Sequence, residues 1–186
     1  MAVRDALLAT GWFESVPQVR RVSDDFVLID GRFMTPFALV RDAEGDHLID
    51  PYGRLMPRTY AKGTGPAQKV VIEGVHFDRP AQGGVQWEGM DITAALRLLR
   101  LIDERIWRSQ VSAVDVARYL PDEVLSLKTD RGAEIIWGSA PGEEQALEVL
   151  AERKLAYLDK AYEEFDRIDM GYAGEWYFLQ EGFIAK

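Results

Sequence analysis

The chain has 186 residues, 47% of them hydrophobic, with 31 acidic against 22 basic side chains and a formal net charge of −9. That is enough to bury a core in one domain or a domain with a small appendage, and the acidic balance argues against nucleic acid as a partner, because neutralising phosphates requires clustered Lys and Arg. The lack of cysteine removes disulfides and thiolate metal sites, and no apolar run approaches the roughly 18–20 residues of a membrane span or the core of a secretory signal, so the chain as given reads as soluble.

Residues 5–10 form a short helical run that Gly11 is placed to end. Alternation over 16–22 and the run 26–29 predict two strands, with a turn at Asp30-Gly31. Residues 36–40 and 48–50 predict a hairpin whose tip, 42–46, uses Gly45 for positive φ. Gly53 marks a further turn, 57–66 reads as a surface loop rich in Gly, Thr, Lys and Pro, 69–73 as a strand, and 74–89 as a long irregular connection. Asp91 caps a helix over 91–108 whose Ile92, Leu96, Leu99, Ile102 and Ile106 step by four and three.

Strands over 112–117 and 124–128 precede a tight turn at 130–132 and a strand at 133–137. After Pro141-Gly142 a second helix spans 143–165: Glu143 and Glu144 suit its first turn, Ala151, Leu155, Leu158, Tyr162 and Phe165 share one face, and Lys154 falls among the polar flank. Two strands, 168–172 and 176–179, close the chain. The fold class is α+β, a mainly antiparallel or mixed sheet carrying two long helices.

Chemical motifs are sparse. Asp42, Glu44 and Asp46 match the first positions of a calcium loop, but His47 stands where glycine belongs and Gly53 where the bidentate Glu belongs. His47 and His76, the only histidines, read as surface or loop residues without a metal set. Lys62-Gly63-Thr64-Gly65 suggests a phosphate loop, yet Pro66 removes an amide donor. Asp159, Glu163, Glu164, Asp166 and Asp169 read as a solvated helix face. No catalytic, cofactor-binding or metal residue is assigned. Tyr172, Trp176, Tyr177 and Phe178 are the unusual feature: an aromatic strand either buried on both sides or keeping one face or edge for a partner.

The ordered set Pro36-Phe37-Ala38-Leu39-Val40, residues 48–55, Ile136-Trp137-Gly138, Gly142-Glu143-Glu144 and Arg167-Ile168-Asp169-Met170-Gly171-Tyr172 resembles the extracytoplasmic part of the bacterial cell-division family FtsQ/DivIB. The resemblance implies a partial POTRA-like subdomain at 1–34 and a β domain at 35–186, in a shortened relative or a piece of a longer, membrane-anchored protein. Met170-Gly171 replaces the basic residue that usually follows the Asp of the final Asp-x-x-Tyr segment. The resemblance further implies a non-enzymatic scaffold on the extracytoplasmic side of the membrane, without cofactor. Its partners are small coiled-coil division proteins, FtsB- or FtsL-like, docking by strand addition at the last strand. Arg167, Asp169, Tyr172, Trp176 and Phe178 are the partner-binding candidates, with Arg167 as the cation for an acidic partner. Two alternatives stand beside it: a hydrolase using Asp50 or the carboxylates of 159–169, and an acidic inhibitor or decoy.

Overall fold

The computed structural model describes residues 2–172 and 176–180. In chain order the elements are α1 (Ala2–Ala9), β1 (Phe13–Arg21), β2 (Val27–Phe33), β3 (Ala38–Arg41), β4 (Asp46–Ile49), β5 (Leu55–Tyr60), β6 (Val71–Glu73), α2 (Met90–Ile102), β7 (Val111–Asp115), α3 (Tyr119–Asp122), β8 (Leu125–Thr129), β9 (Glu134–Gly138), α4 (Ala151–Phe165) and β10 (Trp176–Phe178). A 3₁₀ turn, Arg108–Gln110, leads into β7.

β1 and β2 make a two-stranded antiparallel ribbon, and the other strands form one sheet in the order β10-β9-β8-β7-β6-β3-β4-β5. The fold is α+β with a mixed sheet: β3/β4, β4/β5, β7/β8 and β8/β9 are antiparallel, while β3/β6, β6/β7 and β9/β10 are parallel. Parallel neighbours need a crossover of about a dozen residues or more, and α2 and α4 lie in two of these crossovers, β6 to β7 and β9 to β10. Their apolar stripes, Leu98, Leu99 and Ile102 on α2 and Leu155 and Leu158 on α4, share one core with Val40, Ile72, Val114, Leu127 and Ile135 of the sheet.

On the opposite face an ion ladder crosses five strands. Asp46 binds Arg41, Arg41 binds Glu73 (3.1 Å), and Lys128 bridges Glu73 (2.6 Å) and Asp115 (2.7 Å). The two flanking carboxylates outweigh burial and raise the pKa of Lys128.

Several expectations are corrected. The second long helix starts at Ala151, not 143: Glu144 accepts N–H bonds from Gly142 (3.2 Å) and Ala151 (3.1 Å), and Glu148 is drawn into the core, so 143–150 remains a loop. The first ends at Ile102; Ile106 is exposed, and Arg105 and Trp107 instead reach Asp159. Gly89 stands at its N-cap, while Asp91 inside the first turn accepts the His76 and Ile92 N–H groups.

Residues 168–172 are a turn rather than a strand, because Asp166 and Met170 at φ 57° and 50° and Gly171 at φ 82° are left-handed. Residues 57–60 belong to β5 and Asp30-Gly31 lies inside β2. The 42–46 tip is built on the Asp42 carboxylate accepting from Glu44 (2.7 Å) and Gly45 (3.0 Å), not on a left-handed Gly45. Gly45 is required for space, since a Cβ there would collide with the Tyr60 carbonyl.

Candidate functional site

β10 is the edge strand beside β9, in parallel register Trp176↔Glu134, Tyr177↔Ile135, Phe178↔Ile136. Leu179 N–H donates to the Ile136 carbonyl (3.0 Å). In a strand the N–H and C=O of alternate residues point to opposite sides, so the backbones of 177 and 179 face β9 and those of 176, 178 and 180 face outward. The outward carbonyl of Gln180 is occupied: Val149 N–H donates to it (3.1 Å). The loop before α4 therefore closes one end of the edge, and among the described residues a short stretch at Trp176 and Phe178 stays open.

That loop is fixed by a buried ion pair that the sequence reading missed. Lys154, fully buried, donates to Glu148 Oε1 (2.5 Å) and lies 5.0 Å from the centre of the Trp137 ring. Glu148 also accepts from Ser139 N (2.8 Å), Ser139 Oγ (2.6 Å) and Gln145 N (3.2 Å). Burial pushes the Glu148 pKa up, but these donors, Lys154 foremost, outweigh it and hold it below the carboxylate range. Burial lowers the pKa of Lys154 despite its partner. The available signal was a charged residue four positions before Leu158 on the helix's apolar side.

Beneath β10, Tyr177 and Leu179 enter the core, and the Tyr177 hydroxyl donates to the Asp169 carbonyl (2.6 Å). Phe178 is half-buried, Tyr172 is exposed, and the side chain of Trp176 lies outside the described part. Arg167 grips the fully buried Asp169 through two bonds (3.0 and 2.7 Å) and also binds Asp130. Its pKa is raised by Asp169 first and Asp130 second; burial raises that of Asp169, but Arg167, Thr129 and the Gly171 N–H together outweigh it and lower it. Arg167 is thus committed inside the molecule and holds the turn that Tyr177 hangs from. Gln110 completes the clamp, donating to the Asp166 carbonyl (2.9 Å) and accepting from Ile168 N–H (3.0 Å).

The far edge of the sheet is closed at its start. β5 carries Pro57, and residues 84–87 within the long connection lie against its first residue: Leu55 N–H donates to Val85 O (2.8 Å), Gly84 N–H to Leu55 O (2.7 Å), and Trp87 N–H to Gly53 O (2.8 Å).

The other candidate carboxylates serve structure. Buried Asp50 accepts from Tyr52 N, Arg54 N and the Arg54 guanidinium, and Asp159 accepts from Arg105 and Trp107. His47 is buried rather than on the surface, between Asp42 (2.8 Å), Thr59 (3.0 Å) and Arg79 (2.7 Å). Among the described residues no group of three or more His, Asp or Glu side chains is placed to hold a metal, and no helix is long and apolar enough to cross a membrane.

Residues 38–171 match the family described as cell division protein FtsQ/DivIB, C-terminal. The chain belongs to the FtsQ/DivIB family. The match opens at the first residue of β3 and closes in the turn after α4, so the FtsQ/DivIB assignment rests on β3 to β9 of the large sheet and its two long helices, and β10 lies beyond the matched residues. Among solved structures, the major extracytoplasmic domain of the trans isomer of the bacterial cell division protein DivIB from Geobacillus stearothermophilus is similar, at 16% identity and a TM-score of 0.39, covering 57% of this chain and 79% of that one. No curated protein matches. A role in bacterial cell division follows from the family.

Proposed function

We propose that this FtsQ/DivIB chain is a non-enzymatic scaffold of the division machinery that works on the extracytoplasmic side of the membrane and binds a small coiled-coil partner, FtsB- or FtsL-like, as a strand added to β10. The observation that carries the reading is the asymmetry of the sheet's two edges: β5 is covered at its first residue and interrupted by Pro57, whereas β10 offers outward backbone groups at Trp176 and Phe178.

So short a ladder is weak by itself. Each hydrogen bond contributes about 0.5–1.5 kcal/mol net against an association cost of at least about 4 kcal/mol. Apolar anchors must supply the difference, and we assign that part to Tyr172, Trp176 and the half-buried Phe178. Arg167 and Asp169 act as positioning residues beneath it. The decoy reading is disfavoured because many acidic groups, including Asp46, Glu73 and Asp115, are neutralised on the ion ladder. The hydrolase reading is disfavoured because Asp50 and Asp159 are tied to cations rather than poised in a pocket.

The test is calorimetric titration of the coiled-coil partner's extracytoplasmic segment into the chain and into Phe178→Pro. That substitution removes an outward donor and no β9 bond. Binding reduced at least tenfold with an unchanged thermal midpoint supports strand addition at β10; undiminished binding contradicts it.

A further inference from the structure

The β1–β2 ribbon poses a separate problem. Every residue from 20 to 30 is exposed, and Val27, Ile29 and Phe33 stand 51%, 40% and 64% open on one face of β2, beside Val19, which pairs with Ile29. Two strands alone are at best marginally stable in water; further strands with an apolar face or packing against a helix stabilise them, and here α1 packs against β1 while the apolar face of β2 stays open.

The two edges of this ribbon differ. β1 is packed by α1, contains Pro17 within an irregular stretch between Ser15 and Gln18, and ends in Arg20 and Arg21, all devices that discourage strand addition. β2 contains no proline. Val22 N–H donates to Phe26 O (2.9 Å) and Met34 N–H to Trp12 O (2.9 Å). Even-numbered residues of β2 therefore turn their backbone toward β1, and Val27, Ile29, Gly31 and Phe33 turn theirs outward.

We propose that this edge pairs with its own counterpart in a second copy of the chain, antiparallel about a two-fold axis through Gly31, giving a four-stranded sheet. The occupant is chosen by charge. With Gly31 opposite Gly31, each Asp30 faces the other copy's Arg32 in a non-hydrogen-bonded pair, where side chains approach most closely, and each Ile29 faces Phe33. Neighbouring symmetric registers fail this criterion. An axis through Asp30 sets two aspartates together, one through Ile29 sets Leu28 against Asp30, and one through Leu28 sets Phe26 against Asp30 and puts Arg32 opposite Asp24, which lies in the turn before β2 rather than in the strand. Arg32 is 76% exposed, with one long contact to Glu14 (3.5 Å), and is available for such a pair. Gly31 on the axis leaves room for the Phe13 ring, which stacks on Phe33 with centroids 4.6 Å apart.

The experiment is sedimentation velocity of the 186-residue chain from micromolar to submillimolar concentration, with no partner added. We expect a reversible dimer. Asp30→Arg or Arg32→Asp alone should weaken it at least about tenfold, equivalent to about 1.4 kcal/mol, and the double reversal should restore it, with thermal midpoints showing that each variant is folded. The chain has no cysteine, which allows an independent geometric check. An equimolar mixture of Asp30→Cys and Arg32→Cys proteins should form a disulfide-linked dimer under mild oxidation, and neither should do so alone, since like positions are two residues out of register. A monomer throughout, a dimer indifferent to the charge reversals, or linking by single variants as readily as by the mixture would overturn the proposal.

Discussion

Replacing Lys154 with Met removes one charge from the core at little change in length and leaves Glu148 buried without its cation. In the native protein the pair is 2.5 Å apart, with side-chain exposures of 0% and 2%. Breaking such a pair on one side typically costs about 3–5 kcal/mol, which for a chain of this size lowers the thermal midpoint by about 6–20 °C. The double change Glu148→Gln/Lys154→Met should recover part of that loss, because no charge is then buried and the single amide oxygen still accepts from the Ser139 N–H, although the NH2 that replaces the other oxygen no longer accepts from the Gln145 N–H. The pH dependence separates a charge effect from lost packing. Glu148 has a depressed folded pKa, so its contribution is fully present above the usual carboxylate range and disappears as pH falls through that lower value. Without Lys154, burial moves the same pKa upward, and protonation then relieves the variant. Urea denaturation should show a single-variant deficit larger at about pH 7 than at about pH 4. A loss below about 1 kcal/mol, or one that grows on acidification, would refute the reasoning.

Arg167→Ala should destabilise by about 3–5 kcal/mol, since it strands the buried Asp169 carboxylate. Because Asp169 titrates below its usual range, the stability it gives wild type persists to low pH and fades only as pH drops through that folded pKa; acid denaturation curves check both points. Tyr177→Phe should cost only about 0.5–1.5 kcal/mol, the net value of its hydroxyl bond to the Asp169 carbonyl, seen as a small shift in urea midpoint at constant slope. Gly45→Ala should cost about 1–3 kcal/mol by overpacking against the Tyr60 carbonyl, with a reduced thermal midpoint as the readout.

Much of the sheet was legible because short β-rich runs bounded by turn residues are local signals, as in the β3/β4 hairpin and in β8 and β9. The helix faces were legible as well: Leu155 and Leu158 meet the core as their spacing predicts. What escaped depends on distant partners. The start of α4 is displaced by Glu148 seeking Lys154 and by Val149 bonding Gln180, neither visible as a propensity. Residues 168–172 look like a strand, yet the left-handed Met170 is held by Asp169, whose carboxylate is fixed by Arg167 and also accepts the Gly171 N–H. His47 reads as a surface or loop residue because the sequence does not show that Arg79, 32 residues on, binds it. At the candidate edge, Tyr172 and Phe178 remain accessible to different degrees, whereas Arg167 is legible as important but not as an internal cation.

Residue-resolved amide hydrogen exchange of the chain, free and saturated with the coiled-coil partner's extracytoplasmic segment, tests strand addition most directly. The geometry predicts that Tyr177 and Leu179 amides, which face β9, are already slow in the free protein, and that those of Trp176 and Phe178 slow markedly only in the complex. Protection gained along β5, or a complex in which the Trp176 and Phe178 amides exchange as fast as before, would contradict docking at β10.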